Sequence, residues 1–327
     1  MARASRRAQS RRNRVGGVLG MAVALLVAGG TIDTAHAATA PARPFEGFGP
    51  AGVVALTHGH SHNDYTRNRP LHDALSRGFT SVEVDVVLVG GQLRVGHELV
   101  EALVSGATLR SAYLDPLADW VGRNGGKVYA PGDPPLTLLI DIKSEARSTW
   151  RALEGILGDY EAMLTRFTPE GVEPGAVTVL VSGNRPVDLV EERSERFTAL
   201  DGRISDLDGT APATLIPLVS VRWGALFSWS GKGRMPAADV ARLRALVDTA
   251  HSQGRRIRFY ATPASTPGIR ENVWRTQLDA GVDLLNVDHL AEAQRFLMTA
   301  SNDGPAADTG RSDAGHRLPA GGVDRTP

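Results

Sequence analysis

The sequence predicts a (β/α)₈ barrel, and three observations support this fold class. Eight short apolar runs are spread over about 250 residues, the length that such barrels commonly take. Most of the runs are separated by segments with helical spacing, which is typical of parallel strands joined by crossover helices. Histidine and charged side chains follow several runs, as active-site residues do in barrels. The predicted strands are residues 53–57, 81–86, 137–141, 176–181, 197–200, 215–219, 256–261 and 283–287.

Helices are predicted between these strands from the recurrence of apolar residues at three and four positions. The clearest is 238–253, where Gly254 provides a stop signal. Residues 145–167, the stretch around 271–279, and 291–298 show similar spacing.

Both termini are predicted to lie outside the barrel. Residues 1–37 carry six arginines ahead of the apolar run 15–30 and end in Ala-His-Ala, the layout of a secretory signal peptide. The run is shorter than the ~20 residues that span a bilayer, which disfavours a retained anchor, while paired arginines leave the twin-arginine export route open. We interpret residues 38–50 as a linker and 301–327 as a disordered tail, so the barrel domain is expected over 51–300.

Composition narrows the class of protein. Removing residues 1–37 would leave 30 basic and 35 acidic residues, a formal charge of −5, which does not favour a nucleic-acid partner. The chain has no cysteine, so disulfides and thiolate chemistry are excluded, and a barrel of this size can be stable on its core alone. The predicted signal peptide leads us to expect a secreted, extracytoplasmic protein. We also expect the protein to be a monomer.

The stretch 53–97 carries the densest group of candidate functional residues. Three histidines follow the first predicted strand: His58, His60 and His62. Glu83 and Asp85 are two residues apart on the next strand, so both carboxylates leave the same face. Two such carboxylates repel each other unless a positive group lies between them, and a divalent cation bound through oxygen meets that need.

Two later segments complete the predicted site. Gly90 and Gly91 predict a hairpin turn, and His97 follows the second arm of that hairpin. Asp141 and Lys143 are again two apart on one strand face. A third carboxylate completes an oxygen site of the kind Mg²⁺ or Ca²⁺ prefers, and Lys143 adds a positive charge suited to phosphate.

Further residues at strand ends have two interpretations each. Arg185 is a candidate phosphate contact or a loop arginine with a structural bond. Asp288 and Tyr260 line the barrel mouth or play structural roles. Three aromatic residues of one loop form an apolar rim for a lipid or a packed cluster: Trp223, Phe227 and Trp229.

Three motifs resemble those of the glycerophosphodiester phosphodiesterase and phosphatidylinositol phospholipase C superfamily. They are HSHNDY, SVEVDV with a histidine twelve residues beyond its aspartate, and LIDIK. Within it, HSHNDYxRxxPLxxALxxG, SVEVDVxL and SGNRP are similar to the altered inheritance of mitochondria protein family. The resemblance covers roughly residues 53–297 and is most specific at its amino-terminal end. It implies a barrel of the phospholipase C-like phosphodiesterase type.

Carried over by position, the resemblance implies two catalytic histidines, His62 and His97, and three metal ligands, Glu83, Asp85 and Asp141. The D-x-K of the third strand is also similar to secreted sphingomyelinase D toxins, which implies a phosphate contact for Lys143. Where glycerophosphodiesterases have His-Arg-Gly, this chain has His62-Asn63-Asp64. His60 and His62 both stay open as the first histidine. We favour His62, because Asn63 then occupies the place of the missing arginine at the phosphate.

These observations predict a secreted phosphoric diester hydrolase that acts on glycerophosphodiesters or lysophospholipids. The expected cofactor is a divalent cation, Mg²⁺ with Ca²⁺ as the alternative, and transient contact with a membrane surface accompanies a lipid substrate. One rival is an amidohydrolase-type metal hydrolase, but the further histidines that it needs are missing between His97 and His251. The other rival is a secreted barrel that binds a lipid or sugar head group without catalysis.

Overall fold

The apolar runs form one closed sheet in the computed structural model, which describes residues 52–302. Within the described range the strands are β1 (Leu56–Ser61), β2 (Phe79–Val89), β3 (Gln92–Val95), β4 (Leu136–Ile142), β5 (Arg166–Thr168), β6 (Gly171–Glu173), β7 (Val177–Gly183), β8 (Thr198–Gly202), β9 (Leu218–Arg222), β10 (Arg256–Tyr260) and β11 (Leu284–Val287). Eight of these strands are parallel and follow the order β1-β2-β4-β7-β8-β9-β10-β11, and β11 pairs with β1 to close the barrel. The predicted (β/α)₈ barrel is confirmed.

Each predicted strand is found, with a shift in the first one and a shift of three residues in the sixth, which was predicted over 215–219 and is β9 over Leu218–Arg222. β1 continues to Ser61, whereas the predicted strand ended at residue 57. His58 and His60 therefore lie within the strand, and only His62 follows it. The apolar run understates this strand because the inner face of the barrel accepts polar side chains near the mouth.

Helices surround the sheet, and most of them bury apolar residues against it. They are α1 (His72–Leu75), α2 (Leu99–Ser105), α3 (Asp115–Arg123), α4 (Ala146–Leu157), α5 (Val187–Glu192), α6 (Ala237–Ser252), α7 (Pro267–Asp279) and α8 (Leu290–Asn302). The helix predicted over 238–253 is confirmed as α6, and those predicted nearer the carboxyl terminus are confirmed as α7 and α8. In the part of the chain that is described, every helix lacks the length or the apolar character needed to cross a membrane.

Inside the barrel a small apolar layer supports a polar one. The apolar layer includes one residue from each of five strands: Leu139, Leu180, Ala199, Leu218 and Leu284. Because side chains alternate along a strand, the residue two positions later enters the same interior one layer nearer the mouth. Those residues are Asp141, Ser182, Asp201, Ser220 and Asn286. The fold thus gathers polar groups at the carboxyl ends of the strands.

The aromatic residues after β9 form a packed cluster and not an apolar rim. Trp223, Phe227 and Trp229 are buried, and the Trp223 ring lies 4.7 Å from that of Phe227 and 5.7 Å from that of Phe259. Burial of three large rings fixes the loop that carries them.

The predicted signal peptide (1–37) and linker (38–50) lie outside the described residues. So does the predicted tail, apart from residues 301 and 302, which end α8.

Candidate active site

A polar cavity of about 220 Å³ lies where the carboxyl ends of the barrel strands meet. Six of the predicted site residues line it: His62, Asn63, Glu83, His97, Asp141 and Lys143. They come from β1, β2, β4 and the β2–β3 hairpin, which are neighbours in the sheet. Residues spread over more than 80 positions of sequence are therefore brought to one small space.

Glu83, Asp85 and Asp141 form a compact group of carboxylates. One oxygen of each residue lies within 4.8 Å of the corresponding oxygens of the other two. The register explains this arrangement, because Asp85 on β2 pairs directly with Asp141 on β4, and Glu83 shares the inward face of β2.

Asp85 and Asp141 each have one carboxylate oxygen with partners and one without. Lys143 Nζ lies 3.0 Å from Asp141 Oδ2 and 3.4 Å from Asp85 Oδ2, and the Tyr65 hydroxyl donates to the same Asp85 oxygen at 3.1 Å. Asp85 Oδ1 and Asp141 Oδ1 are buried and have no hydrogen-bond partner. Buried carboxylate oxygens without partners are costly, and a hard cation is the ligand that such oxygens suit. The donor set therefore fits a divalent metal ion.

Mutual repulsion within this group affects protonation. Burial, together with the charges of Asp141 and Glu83, raises the pKa of Asp85 to about 6 against the opposing effect of Lys143. Burial alone would lower the pKa of Lys143, but Asp141 and Asp85 outweigh it, so the pKa is raised and the ammonium is retained.

Glu83 is also held by a buried arginine from the far side of the barrel. Arg258 Nη1 donates to Glu83 Oε2 at 2.7 Å and to Asn286 Oδ1 at 3.0 Å, while Arg258 Nε donates to Ser220 Oγ at 2.7 Å. Burial would raise the pKa of Glu83, but Arg258 and the hydrogen bond from His60 outweigh it and lower the pKa. Glu83 is therefore an anion at neutral pH.

The two candidate histidines of the first strand have different environments. His60 is fully buried between Ser81 Oγ (2.7 Å) and Glu83 Oε2 (2.9 Å), and burial lowers its pKa to about 4. His62 lines the cavity with Nδ1 2.8 Å from Asp288 Oδ1. Burial would lower the pKa of His62, but the hydrogen bond and charge of Asp288 outweigh it and raise the pKa. This placement favours His62 as the group that exchanges protons, and its catalytic role stays a prediction.

His97 reaches the cavity through the predicted hairpin, which is confirmed. β3 pairs antiparallel with the end of β2 across the turn at Gly90 and Gly91. His97 is exposed, with Nδ1 3.0 Å from Glu98 Oε1, and its backbone N–H donates to Glu101 Oε2 at 2.7 Å. The His97 ring thus lies at the exposed rim of the cavity, whereas the His60 ring is fully buried.

Arg185 is not brought to the cavity. Its guanidinium donates to the backbone carbonyl of Asp201 and lies 3.6 Å from Asp206 Oδ2, so the contacts favour the structural interpretation over the predicted phosphate contact. Arg203 and Arg258 instead provide the guanidinium groups of the lining.

Several lining residues were missed by sequence reasoning: Asp201, Arg203, Ser220 and Arg258. A signal for Arg258 was present in the strand RIRFY, where Arg256, Arg258 and Tyr260 alternate with apolar residues. In a strand covered on both faces, such alternation indicates a polar inward face.

Gly183 offers a test of how closely the Asp141 carboxylate is packed. Gly183 has φ +67°, and a Cβ there would lie 1.9 Å from Asp141 Oδ1 and 2.5 Å from the Ile142 carbonyl oxygen. We expect Gly183→Ala to lower the free energy of unfolding by about 1–3 kcal/mol and to displace Asp141, because both the backbone conformation and the space exclude a methyl group. Thermal unfolding measures the loss.

Gly90→Ala is the control, since φ at Gly90 is +57° and nothing lies within 4 Å of the position that an added Cβ would take. Equal losses in the two variants would contradict the packing argument.

Comparison with known proteins finds a matching family and related sequences. Residues 51–201 match the AIM6-like phosphodiesterase domain. The altered inheritance of mitochondria protein 6 homolog of Arthroderma benhamiae is 30% identical over 264 residues, which cover 73% of this chain and 83% of that protein. Altered inheritance of mitochondria protein 6 of Eremothecium gossypii is 32% identical over 279 residues, 75% of this chain and 70% of that protein.

Among solved structures, a glycerophosphoryl diester phosphodiesterase from Parabacteroides distasonis is similar over 75% of this chain and 87% of its own, with 13% identity and a TM-score of 0.47. Methylaspartate ammonia lyase from Clostridium tetanomorphum is similar over 77% of this chain and 59% of its own, with 11% identity and a TM-score of 0.44.

The sequence match and the barrel define a domain of the phosphodiesterase type. The chain belongs to the altered inheritance of mitochondria protein 6 family. The resemblance predicted from its motifs is confirmed.

Proposed function

We propose that the protein is a secreted, monomeric, metal-dependent phosphoric diester hydrolase that acts on glycerophosphodiesters or lysophospholipids. The observation that carries this proposal is the shared cavity, in which His62 and His97 line the same small space as Glu83, Asp141 and Lys143. A volume of about 220 Å³ suits a phosphate with a small head group. Nucleic acid is not the proposed substrate.

Glu83, Asp85 and Asp141 are the residues that would hold the cation, with Mg²⁺ favoured by an all-oxygen donor set and Ca²⁺ as the alternative. A bound cation neutralises the charge that grows on a non-bridging phosphate oxygen in the transition state. Lys143 adds a second positive charge beside the same carboxylates. Asn63, at the rim, supplies an amide for the phosphate in place of the arginine that this chain lacks.

The two histidines divide the proton transfers. The raised pKa of His62 keeps a proton available near neutral pH, and Asp288 holds the ring through Nδ1, which leaves Nε2 for the substrate. We assign His62 as the donor to the leaving oxygen and His97 as the base that accepts the proton of the attacking hydroxyl. If the attacker is a hydroxyl of the substrate, the product is a cyclic phosphate, and attack by water gives plain hydrolysis.

The proposal is tested by assaying the protein on glycerophosphodiesters and lysophospholipids, with and without a chelator, and identifying the products by phosphorus NMR. We expect turnover that stops on chelation and returns with Mg²⁺. We expect His97→Ala to lower kcat by about 10²–10⁴, the usual contribution of general acid–base catalysis. His289→Ala, in which the changed histidine lies outside the cavity lining, is the control. Binding of these compounds without any turnover would support a non-catalytic barrel instead.

Asp288 provides a test of the assignment of His62. Ser61 pairs with Val287, so His62 and Asp288 follow neighbouring positions of β1 and β11. Because Asp288 raises the pKa of His62, we expect Asp288→Asn to lower that pKa and to move the falling alkaline limb of the pH–rate profile to lower pH. NMR titration of the His62 ring protons measures the same change without turnover. An unchanged His62 pKa would contradict the role of Asp288, and an unchanged profile with a shifted pKa would contradict the role of His62.

A further inference from the structure

Helix α2 presents four large apolar side chains to solvent. Leu99 and Leu103 are about half exposed, Val100 is 70% exposed and Val104 is 82% exposed. Ala102 is the residue of the helix that is buried. Single exposed apolar residues are ordinary on a protein surface, but four of them on a seven-residue helix indicate an interaction surface.

The position of α2 places this surface at the barrel mouth. β3 pairs with residues 86–89, the last part of β2, so the hairpin extends beyond the carboxyl end of that strand. Ser105 Oγ donates to the Val95 carbonyl at 2.9 Å and ties α2 to β3. His97, which lines the cavity, precedes the helix by two residues. Two further exposed apolar residues, Val187 and Ile204, follow β7 and β8 at the same end of the barrel.

The segment 222–236, which begins at the last residue of β9, adds positive charge at this end. It contains Arg222, Lys232 and Arg234, all exposed, and no aspartate or glutamate. The buried rings of Trp223 and Trp229 fix the segment, so these charges are presented from an ordered loop. We call α2 and segment 222–236 together the mouth face.

From these observations, we propose that the mouth face docks on the surface of an anionic phospholipid membrane. A short helix with apolar side chains inserts only into the boundary between head groups and acyl chains, about 5–10 Å deep, and basic residues beside it attract anionic lipids. The acidic residues of this region, Glu98 and Glu101, are exposed and bond to the Nδ1 atom (3.0 Å) and the backbone N–H (2.7 Å) of His97. The basic residues of segment 222–236 therefore carry the attraction to anionic lipids in this proposal. This proposal concerns binding and does not require turnover.

Vesicle sedimentation tests the proposal with the full-length protein. We expect stronger binding to vesicles of phosphatidylcholine mixed with phosphatidylglycerol than to phosphatidylcholine alone, and weaker binding as salt rises. Val100→Ser/Val104→Ser should lower the partition coefficient about tenfold, because two exposed side chains lose apolar surface. Arg222→Gln/Lys232→Gln/Arg234→Gln should lower binding to the anionic vesicles about fivefold per charge removed.

The matched control is Val54→Ser/Val172→Ser. Val54 is 69% exposed and Val172 is 41% exposed, and they precede β1 and β7 at the opposite end of the barrel. Their replacement should leave vesicle binding unchanged. The proposal would be overturned if the two double valine variants lost vesicle binding equally, or if binding did not depend on the charge of the lipid. So would light scattering that shows the Val100→Ser/Val104→Ser change to dissociate a dimer, because a second copy of the chain would then cover the patch.

Discussion

Replacing Arg258 with methionine is expected to lower the free energy of unfolding by about 3–5 kcal/mol. The guanidinium is buried inside the barrel, 2.7 Å from Glu83 Oε2 and 3.9 Å from Asp201 Oδ2. Its removal leaves the buried carboxylate of Glu83 without its nearest counter-charge and leaves Asp201 with Arg203, at 3.6 Å, as its remaining one. Methionine also cannot donate to Ser220 or Asn286. Urea unfolding followed by circular dichroism at pH 7 measures the loss.

Arg256→Met is the matched control for this change. Arg256 occupies the same face of β10 two residues earlier, and its guanidinium donates to Thr137 Oγ1 at 2.9 Å. Loss of this single hydrogen bond, from a charged donor to a neutral hydroxyl, should cost about 1.5–3 kcal/mol, less than the loss of a buried ion pair. The double variant Arg258→Met/Glu83→Gln should recover part of the loss, because one of the stranded charges is then absent. A cost for Arg258→Met no larger than that for Arg256→Met would contradict the argument.

The deficit of the Arg258→Met variant should also depend on pH. Burial would raise the pKa of Glu83, but Arg258 reverses this effect and lowers it. In the native protein the ion pair therefore stabilises the fold at pH values above the ordinary glutamate pKa. This stabilisation is lost as the pH falls through the lowered pKa of Glu83. Without Arg258 the pKa of Glu83 should lie above its ordinary value. The carboxylate then destabilises the fold at pH 7 and takes up a proton as pH falls. The difference in stability between the two proteins should therefore shrink between pH 7 and pH 5.

The pairing of Arg258 with Glu83 also shows where sequence reasoning ended. The barrel followed from apolar runs and helical spacing, which are local properties of the chain. The carboxylate group was accessible as well, because Glu83 and Asp85 share a face by their spacing, and Asp141 lies on the next barrel strand. Arg258 is 175 residues from Glu83 and reaches it across the barrel interior. No local spacing indicates which side chains meet across that interior.

The histidines illustrate a second limit. The apolar run ended the predicted first strand before His58, whereas hydrogen bonding carries β1 through His60 to Ser61. Strand ends near a barrel mouth are polar on one face, so hydropathy alone places them too early. The choice of His62 over His60 rested on the resemblance, while the difference in their burial and partners became visible only with the fold.

Asp85→Asn and Asp141→Asn are each expected to lower kcat/KM by at least about 10³, since metal stabilisation of transition-state charge contributes several kcal/mol. Independently of turnover, Mg²⁺ at 100 times its Kd should raise the unfolding free energy of the native protein by about 2.7 kcal/mol, and neither variant should respond. Differential scanning fluorimetry with and without MgCl₂ measures this difference. Asp188→Asn is the control, because Asp188 is an exposed residue of α5 that pairs with Arg147 outside the cavity lining.

The same measurement separates a metal site from a carboxylate group neutralised by Lys143 alone. Protons compete with the cation for Asp85, whose pKa is raised to about 6, so the affinity for Mg²⁺ should fall as pH drops below about 6 and level off above it. Lys143→Met removes the ammonium that lies 3.0 Å from Asp141 and 3.4 Å from Asp85, so it should tighten Mg²⁺ binding while lowering turnover. If Mg²⁺ does not shift the unfolding of the native protein and turnover survives chelation, Lys143 and Arg258 would be the charges that balance these carboxylates.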